Sequence, residues 1–396
     1  MIHKSYRYRL YPTSEQSVLL DKHIGACRFI YNLALDTKTM AYAGSKVNVT
    51  CFDLKKQLPS LKKECAWLKE INSQSLQSSI IHLDTAYTKF FKGQKKFPKY
   101  KSKKEPHQTF EVPQRVEIVD GKMTMPKFKE GIKIVQDRTF EGVIKKSTIT
   151  KTSTGKYFVS ILVETNFMRL PKKEICEEKT IGVDLGLKHF LTTSSGIKVE
   201  NPRFLQKSFS KLRYIQKKYS KFKGKKAKYK FKKIHEKIVN QRTDFLHKLS
   251  TNLVKNHDTI ALETLNIKKM TADNKLSQAI LDASWGNFVR MIEYKADWYG
   301  VNVIRIGEFE PSSKTCSCCG FVNAELTISD RQWVCCKCKS SHDRDINASI
   351  NIKNFALKNW CTEHTLKNCN ELPTMVGVLT YKASNCSSCI RKMDKH

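Results

Sequence analysis

Thr180–His189, TIGVDLGLKH, sets a single carboxylate inside an otherwise apolar strand. Ile181 and Val183 precede Asp184 and Leu185 follows it, which reads as a short buried strand, with Gly186 as the point where the backbone turns. Burying a carboxylate without a partner costs several kcal/mol, so either a cation neutralises Asp184 or the run is not buried.

The simplest cation is a metal ion, and two further acids stand in similar places. Asp258–Leu265, DTIALETL, is another short apolar strand, and it ends in Glu263. Asp343–Trp360, DRDINASINIKNFALKNW, reads as a helix with Asp343 at the N-cap and Asp345 in the first turn. Steps of three or four from Asp345 reach Ala348, Ile352, Phe355 and Ala356, one apolar stripe, so Asp345 points where the helix packs. Two strands and a helix start can bring three acids onto one or two divalent cations while each element stays rigid. Hard oxygen ligands suit Mg²⁺ or Mn²⁺, and two such ions about 4 Å apart stabilise the attacking and leaving oxygens of a phosphodiester cleavage. The competing reading is three unrelated acids at strand ends and a helix cap.

At 396 residues the chain has room for two or three domains. Its 72 Lys and Arg against 37 Asp and Glu give a net charge of +35 and a pI of about 9.7, an excess that predicts a polyanionic partner. MIHKSYRYRLYP lacks the apolar core of a signal peptide, and no stretch approaches the roughly 18 apolar residues of a membrane span. The expectation is a cytoplasmic, nucleoid-associated protein whose 14 cysteines are thiols or metal ligands and not a disulfide framework.

Along the chain, Ile2–Tyr11 alternates as a strand, and from Thr13 the period turns helical, with a capping box from Thr13 to Gln16. Helices are predicted over Phe52–Leu61 and Ser73–Phe91, followed by KGQKKFPKYKSKK, a basic loop containing Lys95 and Lys96. From Gln108 to Glu164 the pattern is strands, with the clearest hairpin formed by Ser147–Thr152 and Tyr157–Val163 around Thr154-Gly155. With the first strand these make a small barrel or sandwich, interrupted by the helical block. Arg203–Lys248 carries 17 Lys and Arg against Glu236 and Asp244, punctuated by aromatic residues, a composition suited to phosphate contact and base stacking. Lys225, Lys226, Lys228 and Lys230 are its densest part; a solvated helix face is the alternative, although such faces normally mix signs. FKGKK lacks the glycine spacing and the Ser/Thr of a phosphate loop. A helix over Gln278–Tyr299 and a strand over Val301–Ile306 follow.

Cys316-x-x-Cys319 and Cys335-x-x-Cys338, 15 residues apart, have the spacing of a zinc ribbon: four thiolates close a tetrahedron and leave no open position for catalysis. Cys318 and Cys336 are surplus and leave the ligand register open. Beyond Trp360 the pattern decays into a polar tail holding Cys361, Cys369, Cys386 and Cys389, a weak second metal-site candidate.

IGVDLGLK, ALETLNIKKM, SSKTCSCCG with WVCCKC, and HDRDINASINI, in this order, strongly resemble the transposon-encoded TnpB family, relatives of type V CRISPR effectors; YRLYPTSEQ and LQSSIIHLDTAYTKFF resemble its N-terminal half. The resemblance runs from about residue 2 to 360. It implies a mixed α/β and β multidomain chain. A wedge-like β-barrel is expected from 1–11 and 107–170, a helical recognition domain from 12–106, and a linker at 171–178. An RNase H-like (RuvC) nuclease domain is expected from 179–311 and 341–360, with a basic helical insert at 203–250 and a zinc ribbon at 312–340; the polar tail at 361–396, outside the resemblance, is expected from its own composition to be disordered. It further implies an RNA-guided DNA endonuclease with Asp184, Glu263 and Asp345 as metal-binding catalytic acids, Mg²⁺ or Mn²⁺ as catalytic ion, structural Zn²⁺, and guide RNA and target double-stranded DNA as partners. In such proteins the guide reads sequence by pairing while the protein reads a short adjacent motif. Ser73, Gln74 and Gln77 open a helix and are candidates for that reading, since Gln pairs well with the major-groove edge of adenine; a polar helix start is the alternative.

Three rivals remain. A transposase on the same fold usually orders its acids Asp, Asp, Glu, whereas the order here is Asp, Glu, Asp. A guided DNA binder without cleavage is expected to have lost an acid. A zinc-ribbon transcription factor leaves Asp184 and Glu263 unexplained.

Overall fold

The computed structural model describes residues 2–222, 224–272, 274–327 and 329–370. They form two compact units, the first from residues 2–175, 201–258 and 267–303, the second from 176–200, 259–266 and the described residues from 304 on.

In the first unit β1 (Ile2–Tyr11) leads to α1 (Ser14–Ser45), α2 (Cys51–Glu64) and α3 (Ser73–Phe91), then β2 (His107–Val112), β3 (Glu117–Val119), β4 (Lys122–Met125), β5 (Phe128–Val135), β6 (Val143–Thr152) and β7 (Tyr157–Thr165). Thr13 and Gln16 form the capping box that starts α1 directly after Pro12. The six strands after α3 and β1 make one antiparallel sheet in the order β2-β6-β7-β1-β5-β4-β3, so the first strand of the chain sits between β7 and β5. Every second residue of β7 faces inward, from Tyr157 through Val159, Ile161 and Val163, and shares one core with Leu20, Ile24 and Ile30 of α1 and Leu76, Ile80 and Leu83 of α3.

The same unit holds α4 (Phe204–Lys207), α5 (Phe209–Phe222), α6 (Lys225–Asn256), α7 (Ile267–Ala272), α8 (Asn274–Ala283) and α9 (Trp285–Tyr299). The helix predicted over Gln278–Tyr299 is thus two helices. Ser284 breaks it with φ 61° and ψ 39°, a left-handed residue that is neither Gly nor Pro and so carries no local signal. α6 and α9 are joined through Lys295, a buried lysine that donates to His247 O at 2.8 Å, Ser250 Oγ at 2.7 Å and Thr251 Oγ1 at 2.7 Å. Three acceptors satisfy its three N–H groups, and burial pulls its pKa down to about 8.

The second unit is built on β8 (Thr180–Leu185), β9 (His189–Thr193), β10 (Lys198–Glu200) and β11 (Thr259–Glu263), which with β12 (Asn302–Ile306) form a sheet in the order β10-β9-β8-β11-β12. β8 and β11 are parallel, while β9 runs antiparallel to both β8 and β10. β13 (Gln332–Val334) pairs with β14 (Ser341–Asp343), and β14 passes directly into α10 (Arg344–Asn370). α10 continues ten residues beyond Trp360, where the sequence pattern predicts a disordered tail, because no Gly or Pro interrupts Cys361–Asn370. The candidate ligands Cys386 and Cys389 lie outside the described residues. Among the described residues no helix is long and apolar enough to cross a membrane.

Gly182 lets α10 reach the sheet. A Cβ at this position would stand 2.0 Å from Ser349 O and 2.8 Å from Lys353 N, so only hydrogen fits between β8 and the helix backbone. The stripe read from the sequence is the face that packs: Ile352 and Ala356 are buried against Ala261 and Ile306, with Phe355 partly buried beside them.

Candidate active site, cysteine cluster and basic surfaces

Asp184 lies near the end of β8 and Glu263 at the end of β11. The parallel register pairs Leu262 with Val183, so the two acids occupy the next step on neighbouring strands. Asp343 caps α10, its Oδ1 accepting from Asp345 N at 3.2 Å and Ile346 N at 3.1 Å, and this sets Asp345 in the first helical turn. The structure therefore brings all three acids to one end of the sheet. Loss of water pushes the Asp184 carboxyl up to about 7, and the negative charges of Glu263 and Asp345 push the same way; Arg344 and the Leu185 N–H oppose them. Burial raises Glu263 as well. Arg331 Nη1 stands 3.3 Å from Asp345 Oδ1, and Lys198 Nζ is 2.6 Å from Asp343 Oδ2.

Oxygen donors that repel one another, on three rigid supports, fit a hard divalent cation. Among the described residues, the sets of three or more His, Cys, Asp or Glu whose donor atoms all lie within 4.8 Å of one another are both cysteine-based. Asp184, Glu263 and Asp345 are not among those sets, but the charges of Glu263 and Asp345 are felt at Asp184.

Cys316, Cys319, Cys335 and Cys338 have their sulfurs within 4.8 Å of one another, with Cys316–Cys338 and Cys319–Cys335 each 3.6 Å apart, so this set can hold a metal ion. Cys335 belongs to this set, whereas the exposed Cys336 belongs to neither donor set. Hydrogen bonding to Ser340 holds the Cys338 thiol down to about 6, toward the thiolate that binds metal. The first knuckle is fastened to α10. Asn347 Oδ1 accepts from Ser317 N at 2.9 Å, and Asn347 Nδ2 and Asn351 Nδ2 both donate to Thr315 O, at 2.7 and 2.6 Å.

The sequence reading missed His342. Its Nε2 is 3.1 Å from Cys316 Sγ and its ring packs on Trp333, with centroids 4.8 Å apart. A histidine four residues after Cys338 is at ligand spacing, and that was the available signal. Arg331, which faces Asp345, has no periodic or motif signal at all.

The basic residues are more dispersed. Lys225, Lys226, Lys228 and Lys230 are all exposed on α6, and Lys95 and Lys96 are exposed in the loop after α3. Lys228 lines a cleft of about 920 Å³ together with Lys22, Arg28, Lys103, Lys104 and Lys232, all in the first unit. Gln77 is exposed, whereas Gln74 is half-buried and donates its Nε2 to Gln114 Oε1 at 3.1 Å.

Three family models match the chain: "Helix-turn-helix domain" at residues 1–46, "Probable transposase" at 159–273 and "Cas12f1-like, TNB domain" at 285–352. Residues 2–45 are here a strand and one long helix. A "Putative RNA-guided DNA endonuclease" of Streptomyces pristinaespiralis is 35% identical over 361 residues, covering 89% of each chain. The "Putative RNA-guided DNA endonuclease InsQ" of Escherichia coli (strain K12) is 29% identical over 373 residues, covering 88% of this chain and 91% of its own. The fold is similar to that in the "Cryo-EM structure of the Cas12f1-sgRNA-target DNA complex", with a TM-score of 0.55 at 14% identity over 89% of this chain and 99% of that one. With a relative 35% identical over nearly its whole length, the chain belongs to the TnpB family, transposon-encoded relatives of type V CRISPR effectors.

Proposed function

We propose that the chain is an RNA-guided, divalent-metal-dependent DNA endonuclease encoded by a transposable element, acting in the cytoplasm on target double-stranded DNA beside a short recognition motif. The observation that carries this reading is the convergence of Asp184, Glu263 and Asp345, with Asp184 raised to about 7 by lost water and by the other two acids. In this reading the five-stranded sheet with α10 is the RuvC-like, RNase H-fold nuclease domain and residues 312–340 are a structural zinc ribbon. The seven-stranded sheet is the wedge-like barrel; its support is that β2 and β3, the two ends of the strand order, contribute Phe110, Val112 and Ile118 to the same core.

Asp184, Glu263 and Asp345 would hold the divalent ions at the sheet end. When bound, those ions supply the positive charge that activates water and stabilises both the attacking and the departing oxygen of the phosphodiester. The lysines of α6 and of the loop after α3 retain the nucleic-acid backbones without reading sequence, and pairing with the guide supplies that reading. Of the two glutamines proposed for the adjacent motif, Gln77 is exposed and Gln74 would have to leave Gln114. The guided binder without cleavage is disfavoured because all three acids are present, and the transposase because the acids run Asp, Glu, Asp.

The test is to sequence the RNA that copurifies with the protein. A discrete bound species is expected; only degraded, heterogeneous RNA would remove the guide from this account and revive the transposase.

A further inference from the structure

We propose that Cys316, Cys318 and His342 form a second, weaker site for a thiophilic divalent ion such as Zn²⁺ or Cd²⁺, sharing the Cys316 sulfur with the four-thiol set. The donor atoms of these three residues all lie within 4.8 Å of one another. His342 is buried, at 7% exposure, and its Nε2 is aimed at Cys316 Sγ from 3.1 Å. Trp333 fixes the plane of the ring, and the backbone of the knuckle is held by Gly320 N to Cys316 O at 2.9 Å and Ser317 N to Asn347 Oδ1 at 2.9 Å. The triangle is therefore preorganised on two sides, and only the exposed Cys318 side chain has freedom to lose on binding.

A thiolate sulfur carries enough lone pairs to bridge two ions, and two sulfurs with one imidazole suit soft divalent metals. The fourth position stays open to water. One ligand is shared and another is exposed, so this site binds less tightly than the closed set of four thiolates. Binding releases the Cys318 thiol proton, and the imidazole enters neutral, with its proton on Nδ1. Cys336, the surplus cysteine of the other knuckle, belongs to neither donor set and is equally exposed. It is the internal control.

The experiment titrates the reduced, metal-free full chain with Cd²⁺, following thiolate-to-cadmium absorption and the number of ions bound, with C361S, C369S, C386S and C389S present in every sample, the otherwise unmodified one included, so that the tail cysteines bind no ion. The expected result is one tight and one weaker equivalent in the unmodified protein and in C336S. C318S and H342A should each keep the tight equivalent and lose the weaker one, with its affinity down about tenfold or more when one of three ligands is removed. C318S changes an exposed side chain, so it remains informative if H342A fails to fold. A single equivalent in the unmodified protein, a weaker equivalent that survives in C318S, or its loss in C336S would each overturn the assignment.

Discussion

Asp184 concentrates the physical problem of this molecule in one side chain. Its carboxyl is raised from 3.8 to about 7, so between those values the folded chain holds a proton that the unfolded chain has released. Without divalent ions, stability contributed at this position is therefore present at acid pH and declines as pH rises through that window. A cation that binds the ionised form reverses the loss. Thermal melts should thus show Mg²⁺ raising the melting temperature more above pH 7 than near pH 4, and D184N should flatten both the pH slope and the Mg²⁺ increment. Equal slopes and increments in the variant would mean that Asp184 is not the group involved. The acid itself was legible in the sequence because a lone carboxylate in an apolar run demands an explanation, and the same logic found Glu263. His342 and Arg331 were not legible in that way, since their importance comes from what folding sets beside them: Cys316 in one case, Asp345 in the other.

At the scale of elements, α10 shows how far periodicity reaches. Its buried stripe and its Asp343 cap follow from spacing, while the tightness of its packing depends on Gly182, more than 160 residues earlier. Local pattern cannot announce such a partner. α6 shows the complementary case, because the charge run predicts a basic helix but not which lysines face a concavity. Lys228 and Lys232 open on the cleft beside Arg28, whereas Arg242, further along the same helix, is bound to Asp282 at 2.6 Å. Replacing Lys225, Lys226, Lys228 and Lys230 with Gln should lower the salt slope of nucleic-acid binding by roughly 0.7–0.9 for each phosphate no longer neutralised, with similar reductions for any sequence. Cleavage by this variant should recover partly at low salt, since the metal ligands are untouched. A slope equal to that of the unmodified protein on both RNA and DNA would reduce the run to a solvated helix face.

At the scale of the molecule, the classes of element were readable and their long-range arrangement was not. The β6–β7 hairpin was evident from Thr154-Gly155, a local turn, but the insertion of β1 between β7 and β5 pairs Ile2 with Thr165 and Arg9 with Val135, far apart in the chain, and has no local signature. The charge of +35 likewise foretells a polyanionic partner without saying whether the chain cuts it. In the proposed function Asp184, Glu263 and Asp345 act as one metal-holding set in a guided nuclease, and cutting and binding separate that function from every rival. The direct measurement loads the protein and its D184A, E263A and D345A variants with the copurified RNA and follows both binding and cleavage of a matched DNA duplex in Mg²⁺. Each variant should bind the duplex within a few-fold of the unmodified protein while cleavage falls by roughly 10³-fold or more, the size of loss expected when one member of a catalytic unit is removed. A variant that cuts at the unmodified rate, or three variants that lose binding in proportion to cutting, would contradict the account.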